Sequence, residues 1–440
     1  MRAIALVACA LWASAIARAQ PSPMGPCGPI ARRHEAIELP GVRLRRLGAQ
    51  RLEHLGLVAY HGGVARPIPF QFDERVPGKG IAMAGGPEPL RDDHPGILDP
   101  DDLLVFMACD AGERAPGGAP PAAAGREIRI DDPLDHTTGW AYVVVADDPP
   151  LTGTRYVEYD AAHDSVLAAR YRVGMIQALP ADFAVGLSGP MGPNLMDGLR
   201  LRAEATLHTG LAHWAISERD GKHELVAWTA GPVRVVRRSR HKVDIGMSIR
   251  LTAGLAHTYF YAEHVYAPGA MKLPFSPSVF FRDITAMGGV DLQGLEGWHY
   301  IAPGIPPPGF AIDGHMDQRE QSFEGRGTWF ALVGHDQAIL VAMTMSENLS
   351  RTIPLSLVYI DDASRRAPPE VVPGSVPLVG ISGRDGQKLG AGRYSFQIHI
   401  IGLPGYRPGD EEREIARLQT PLTADVTVPA DLGAAPAAPR

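Results

Sequence analysis

Apolar residues in this chain come in short runs broken by turn-forming residues, and only one late stretch repeats with a helical period. Leu103 to Ala108 is wholly apolar and follows Asp99, Asp101 and Asp102, which predicts a strand buried on both faces. From Glu127 to Ile130 the pattern alternates, with Ile128 and Ile130 on one side and Glu127 and Arg129 on the other, as a half-buried strand requires. Tyr142 to Val145 makes a third run. Ala115 to Gly125 is Ala, Pro and Gly alone, has little to bury and reads as a loop. Asp147-Asp148-Pro149-Pro150 then breaks the chain into two blocks.

In the second block, Leu211–Glu218 and His223–Trp228 flank Arg219-Asp220-Gly221-Lys222, and Asp-Gly between such runs predicts a hairpin. Trp329–Val333 and Ile339–Thr344 flank Gly334 to Gln337 in the same way. Further strands are expected at Val233–Val236, Met247–Leu251, His257–Tyr266, Leu355–Ile360 and Tyr394–Ile401, and a helix at Glu411–Leu418. Pro303–Pro308 and Ala367–Pro373 read as loops. The expected fold is all-β. A β-sandwich-like N-terminal domain over 28–150 precedes a large antiparallel β-supersandwich over 151–428, with a leader at 1–19 and a disordered Ala/Pro-rich tail at 429–440.

The 49 Gly and 40 Pro agree with short strands and turns, because Pro inside a helix costs about 3 kcal/mol. A net charge of -7 leaves no basic footprint for nucleic acid or an anionic membrane. Beyond the leader no apolar stretch is long enough to insert in a bilayer. Arg2, the apolar run Ala3–Ala15 and Ala17-Arg18-Ala19 form a secretory leader, with cleavage expected before Gln20 and a periplasmic or secreted mature chain. Leu6-Val7-Ala8-Cys9 is a competing lipoprotein box, but it would leave the apolar region too short. Cleavage leaves Cys27 and Cys109, which an oxidising compartment would pair; two free thiols are the alternative.

No phosphate-cradling loop, serine-nucleophile elbow or paired-histidine zinc helix is present; His34-Glu35 lacks a second histidine four positions on. Three clusters remain. Asp92, Asp93 and His94 followed by Asp99, Asp101 and Asp102 are dense enough to hold Ca2+, although their spacing lacks the calcium-loop ladder and a solvated turn is the plain alternative. No other cofactor is expected. If His257–His264 is one strand, His257, Tyr259, Tyr261 and Glu263 share a face: rings to stack on sugars and a carboxylate to accept hydroxyl protons. His264 would then lie on the opposite, core-like face with Phe260. If Asp313 to Arg319 is extended, Asp313, His315, Asp317 and Arg319 also share a face, with two carboxylates set to make His315 an acid–base group or to contact a metal. The expectation is that both rows line one concavity, with His315, Tyr261, Glu263 and Asp313 catalytic and His257, Tyr259, Arg319 and Asp317 binding substrate. For both rows the plain alternative is ordinary polar surface.

Pro67-Ile68-Pro69-Phe70-Gln71-Phe72-Asp73-Glu74 and Asp101 to Phe106 resemble paired strand segments of secreted bacterial β-proteins. Trp228-Thr229-Ala230-Gly231-Pro232-Val233-Arg234 resembles a strand start in galactose-mutarotase-like supersandwich domains, some of which are polysaccharide lyases or carbohydrate-binding proteins. That resemblance implies carbohydrate work and carries no catalytic residue onto this chain. Three readings stay open. The first is an exported lyase or hydrolase on an acidic polysaccharide, with Arg319 or Arg282 neutralising a uronate carboxylate. The second is a non-catalytic protein binding a polysaccharide or another envelope component. The third is a metal-assisted hydrolase built on Asp313, His315 and Asp317.

Overall fold

A computed structural model describes residues 20–428 apart from 119–120, 122–123, 211, 245–249 and 367–373, with the side chains of 118, 243–244 and 250–254 also left aside. The expected leader, the tail, the Ala367–Pro373 loop and most of the Met247–Leu251 strand lie outside the described residues. The chain is all-β, and its strand pairs are antiparallel.

The N-terminal domain packs a five-stranded sheet against a three-stranded one made of Ala36–Pro40, Leu103–Met107 and Phe70–Asp73. Alternation decides what each face of the smaller sheet meets. Ile37, Leu39, Phe70, Phe72, Leu104 and Phe106 join Leu57, Ile128, Ile130 and Val143 in the N-terminal core. Leu103, Val105 and Met107 point the other way, into the core of the second domain. The run expected to be buried on both faces therefore forms a partition between two cores. The expected N-terminal strands lie within Ala124–Asp132 and Thr137–Val145.

In the second domain a nine-stranded sheet faces a five-stranded one across a large apolar core. Tyr300 of the wide sheet stacks on Tyr359 of the narrow sheet with ring centroids 4.4 Å apart. On the opposite face of the wide sheet, helix Asp410–Gln419 lays Ile415 and Leu418 against Leu340 and Ile401. The chain then returns to its beginning: Thr423–Thr427 pairs with Ala124–Asp132, so the last strand of the block expected to run to 428 completes the N-terminal sheet.

Two expected elements differ. Arg219-Asp220-Gly221-Lys222 is no hairpin turn, because His213–Ser217 joins the narrow sheet and Gly221–Ala230 the wide one. A capping box between Ser217 and Asp220 makes a short 3-10 turn there, and Gly221 sits at φ -97° rather than in the left-handed region an Asp-Gly hairpin needs. The expected single strand His257–Tyr266 is two, Arg250–Phe260 and His264–Leu273, folded back so that Tyr259 opposes Tyr266. The Trp329–Val333 hairpin forms with its expected partner strand.

Cys27 and Cys109 are bonded, with Cα atoms 4.5 Å apart, and fasten the N-terminal tail just beyond the partition strand. Among the described residues no helix is long and apolar enough to cross a membrane. The bridge spans a sequence separation of 82 residues. Replacing both cysteines with serine should lower the unfolding free energy by about 4 kcal/mol, measured by urea unfolding; an unchanged midpoint would show that the bridge contributes nothing.

Candidate functional site

The site begins with a buried cation. Arg234 is 0% exposed and stands just before the strand Val235–Asp244. Its partners come from the partition sheet: Nε donates to Asp73 Oδ2 at 2.7 Å, and Nη1 donates to Glu38 and to Tyr261 Oη, the latter at 2.6 Å. Gln71 Oε1 accepts the backbone N–H groups of Val233 and Arg234 at 3.0 and 2.9 Å. Pro67–Glu74, which resembles strand segments of secreted β-proteins, and Trp228–Arg234, which carries the supersandwich resemblance, are thus each other's partners. The Tyr259 ring lies 5.0 Å from the guanidinium, close enough for a cation–π contact.

From Arg234 a row of rings crosses the wide sheet. Tyr259 opposes Tyr266, and Tyr266 opposes His399 on Gly392–Pro404, so all three stand on one face. His264, two positions before Tyr266, shares that face. Ring centroids are 5.5 Å apart for Tyr259–Tyr266, 5.1 Å for Tyr266–His399 and 5.2 Å for His264–His399.

The hydrogen bonds fix the histidine tautomers. His264 Nδ1 lies 2.9 Å from the His34 carbonyl, which can only accept, so Nδ1 carries the proton and Nε2 is an acceptor. His399 Nδ1 sits 3.1 Å from that Nε2 and must donate, which leaves His399 Nε2 as a lone pair. That atom is buried without a partner. Burial pushes both rings down, to about 3 for His264, with His399 and His34 nearby adding to the effect, and to about 4 for His399. Both are neutral at ordinary pH.

Tyr261, His264, Tyr266 and His399 line a cleft of about 320 Å³ between the wide sheet, residues 32–36 and helix Asp410–Gln419. His34 reaches Glu414 Oε2 at 2.9 Å and the Gly402 carbonyl at 3.0 Å. Burial alone would raise Glu414, but His34 and Arg417 outweigh it and hold the carboxyl at about 2. Glu35, also in the lining, goes the other way: burial raises it despite the Leu422 N–H and Arg32.

His257, Tyr259 and Tyr261 do share a face, but that face is not open. Tyr261 was expected outside the core and is 5% exposed, because the partition sheet covers it at Arg234. His257 accepts from Arg238 Nε at 2.9 Å and is pushed down to about 4 by burial and by that arginine. Glu263 leaves the row: it lies in the turn, buried, with Arg33 bound to both its carboxylate oxygens at 3.0 Å. The same turn brings His264 round to stack on Tyr261, 5.9 Å between centroids, rather than onto the Phe260 face. One fold-back thus exchanges the expected sides of Glu263 and His264.

The second row does not join the cleft. Arg319 packs over Phe310, which stacks with Tyr300 in the core between the two sheets, on the face opposite His399. The extended pattern stops at Asp317, whose carboxylate caps the short helix Gln318–Gln321. Asp313 Oδ1 accepts the backbone N–H of His315, an exposed residue. Among the described residues Asp313, His315 and Asp317 form no group able to hold a metal. Arg282 is paired with Asp283 on the narrow sheet. His34, Glu35, Arg234, Tyr266, His399 and Glu414 were not singled out as site residues by the sequence reading. A signal existed for one of them: His399 and Gln397 alternate with Phe396, Ile398 and Ile400, a polar row on a strand that otherwise looks apolar.

No family model and no curated protein matches this chain. Among solved structures, an alpha-mannosidase from Enterococcus faecalis aligns over 92% of this chain and 45% of its own, at 7% identity and a TM-score of 0.47. A protein in glycosyl hydrolase family 38 from the same organism aligns over 90% and 46%, at 6% identity and a TM-score of 0.45. The chain spans less than half the length of either, and neither is a galactose-mutarotase-like lyase.

Because His264 and His399 have folded-state values below the ordinary 6.5, the unfolded chain binds more protons between about pH 4 and 6.5. Their contribution is therefore complete above that window and is lost as pH falls through it. Each ring adds a slope of up to about 1.4 kcal/mol per pH unit. Urea unfolding at stepped pH should give His399→Gln a shallower slope than the parent across this window; equal slopes would mean that His399 is not buried neutral.

Proposed function

We propose that this is an exported carbohydrate-active protein that binds a saccharide in the cleft and transfers a proton to His399. The observation that carries this reading is the unpartnered Nε2 of His399, a neutral base held in one tautomer beside the Tyr266 ring. Tyr266 offers an aromatic face on which a sugar ring can stack. Glu35 and His399 line the same cleft and are shifted in opposite directions, one toward holding a proton and the other toward lacking one, which is how acid and base roles are divided. In hydrolysis Glu35 would give its proton to the leaving glycosidic oxygen, while His399 Nε2 would take one from the attacking water. The Cys27–Cys109 bridge supports export, because disulfides persist in oxidising compartments.

An acidic polysaccharide would need a cation free to meet its carboxylate. Of the arginines lining the cleft, Arg32 is bound to Asp132 and Glu35, and Arg417 to Glu414 and Asp135. The cleft therefore favours a neutral saccharide over the uronate polymer expected from the sequence. A non-catalytic polysaccharide-binding role is the second reading, favoured by the burial of Nε2 itself.

A glycan array followed by reducing-end and unsaturated-uronate assays on the hits tests this. Tyr266→Ala should weaken binding about tenfold, the upper end of an aromatic contact. His399→Ala should lower turnover by about 10²–10⁴ while leaving binding in place. Binding without turnover in the parent protein would establish the binding role alone, and no glycan bound would remove the carbohydrate reading.

A further inference from the structure

A second concentration of charge lies outside the cleft, in the loop that leads into the partition strand. Asp92, Asp99 and Asp102 bring carboxylate oxygens within 4.8 Å of one another. Asp102 is 0% exposed and Asp92 8% exposed. Among the described residues none of the three makes an ion pair, whereas Asp73, Asp132, Glu263, Asp291 and Glu414, also buried, each hold an arginine. Asp102 Oδ1 accepts the Arg75 backbone N–H at 3.2 Å and Oδ2 that of Asp99 at 2.9 Å, so its hydrogen bonds come from neutral donors. Asp92 Oδ2 accepts from the His94 N–H, while its Oδ1 is buried with no hydrogen-bond partner among the described residues. Gathering three carboxylates, two of them buried, without a cation costs desolvation and mutual repulsion together.

We propose that Asp92, Asp99 and Asp102 form a Ca2+ site that pins this loop to the partition sheet. The donors are all oxygen, which suits a hard divalent cation, and they sit in an irregular loop rather than a rigid octahedral frame, which favours Ca2+ over Mg2+. The unpartnered Asp92 oxygen supplies a free lone pair, and Asp99 and Asp102 keep lone pairs beyond those used by backbone N–H groups. The position gives the ion a structural effect. Gly41 N–H bonds to the Asp102 carbonyl at 2.7 Å, and the Asp99 carbonyl lies so close to Gly41 that any Cβ there would meet it. Asp102 also accepts the backbone N–H of Arg75, two residues beyond the strand Phe70–Asp73 that presents Asp73 to Arg234. A bound ion would stiffen the sheet that supplies Asp73 and Glu38 to Arg234.

The test is calorimetric titration of CaCl2 into EDTA-treated full chain, with thermal unfolding in parallel. One site saturating by millimolar CaCl2 is expected, with a Tm that rises as CaCl2 is added and MgCl2 about tenfold weaker. Asp92→Asn keeps the bond from His94 but loses the charge; it should fold, hold its Tm without metal and weaken the CaCl2 response about tenfold or more. No heat and no Tm shift at millimolar CaCl2 would overturn the site, leaving carboxylates that share a proton. A response equal for MgCl2, or unchanged in Asp92→Asn, would overturn it as well.

Discussion

A fully buried guanidinium ties this molecule together. Arg234 belongs to the large domain, and its acidic partners Asp73 and Glu38 belong to the small one. A buried cation cannot stand alone, since removing either partner of such a pair leaves an uncompensated charge costing about 3–5 kcal/mol. The two domains are therefore coupled by electrostatics as well as by the apolar partition strand. The partition follows the same logic: Phe70 and Phe72 serve one core, while Gln71 and Asp73, alternating with them, turn to Arg234.

The cleft is a consequence of that docking. By covering the Arg234 end of the wide sheet, the partition sheet buries Tyr261 and leaves the Tyr266–His399 end to be roofed by residues 32–36 and the late helix. The His34 carbonyl is then placed to hold His264, and His264 to hold His399. Each bond fixes the next tautomer, so a backbone oxygen from the N-terminal segment decides which nitrogen of a distant histidine is basic. The cleft takes its chemistry from residues 32–36 and the wide sheet together.

The loop of Asp92, Asp99 and Asp102 stands behind the same sheet. It contrasts with Arg32 and Asp132, where a buried charge is answered by a 2.7 Å hydrogen bond from Nε to Oδ2 and the carboxyl is held at about 2, burial notwithstanding. Asp132, answered by arginine, stays ionised, whereas Asp102, offered only backbone N–H groups, is driven toward its neutral form.

Much of the fold was legible from alternation and turn chemistry, because burial of one strand face is written locally in every second residue. Leu103–Met107 declared itself two-sided, Leu355–Ile360 and the Trp329 hairpin fell where expected, and Cys27 had Cys109 as its partner once the leader was set aside. Alternation failed at Glu263 and His264, since a reversal three residues long carries no Gly or Pro to announce it and is held by a ring bonded to Arg234 and a carboxylate bonded to Arg33. It failed again at Asp220-Gly221, where a side-chain cap sent the two strands to different sheets. The sequence by itself determined which residues share a strand face. Only the tertiary structure decided what covers that face, and so which histidine is left with a free lone pair, because covering surfaces and tautomer-fixing carbonyls come from segments hundreds of residues away.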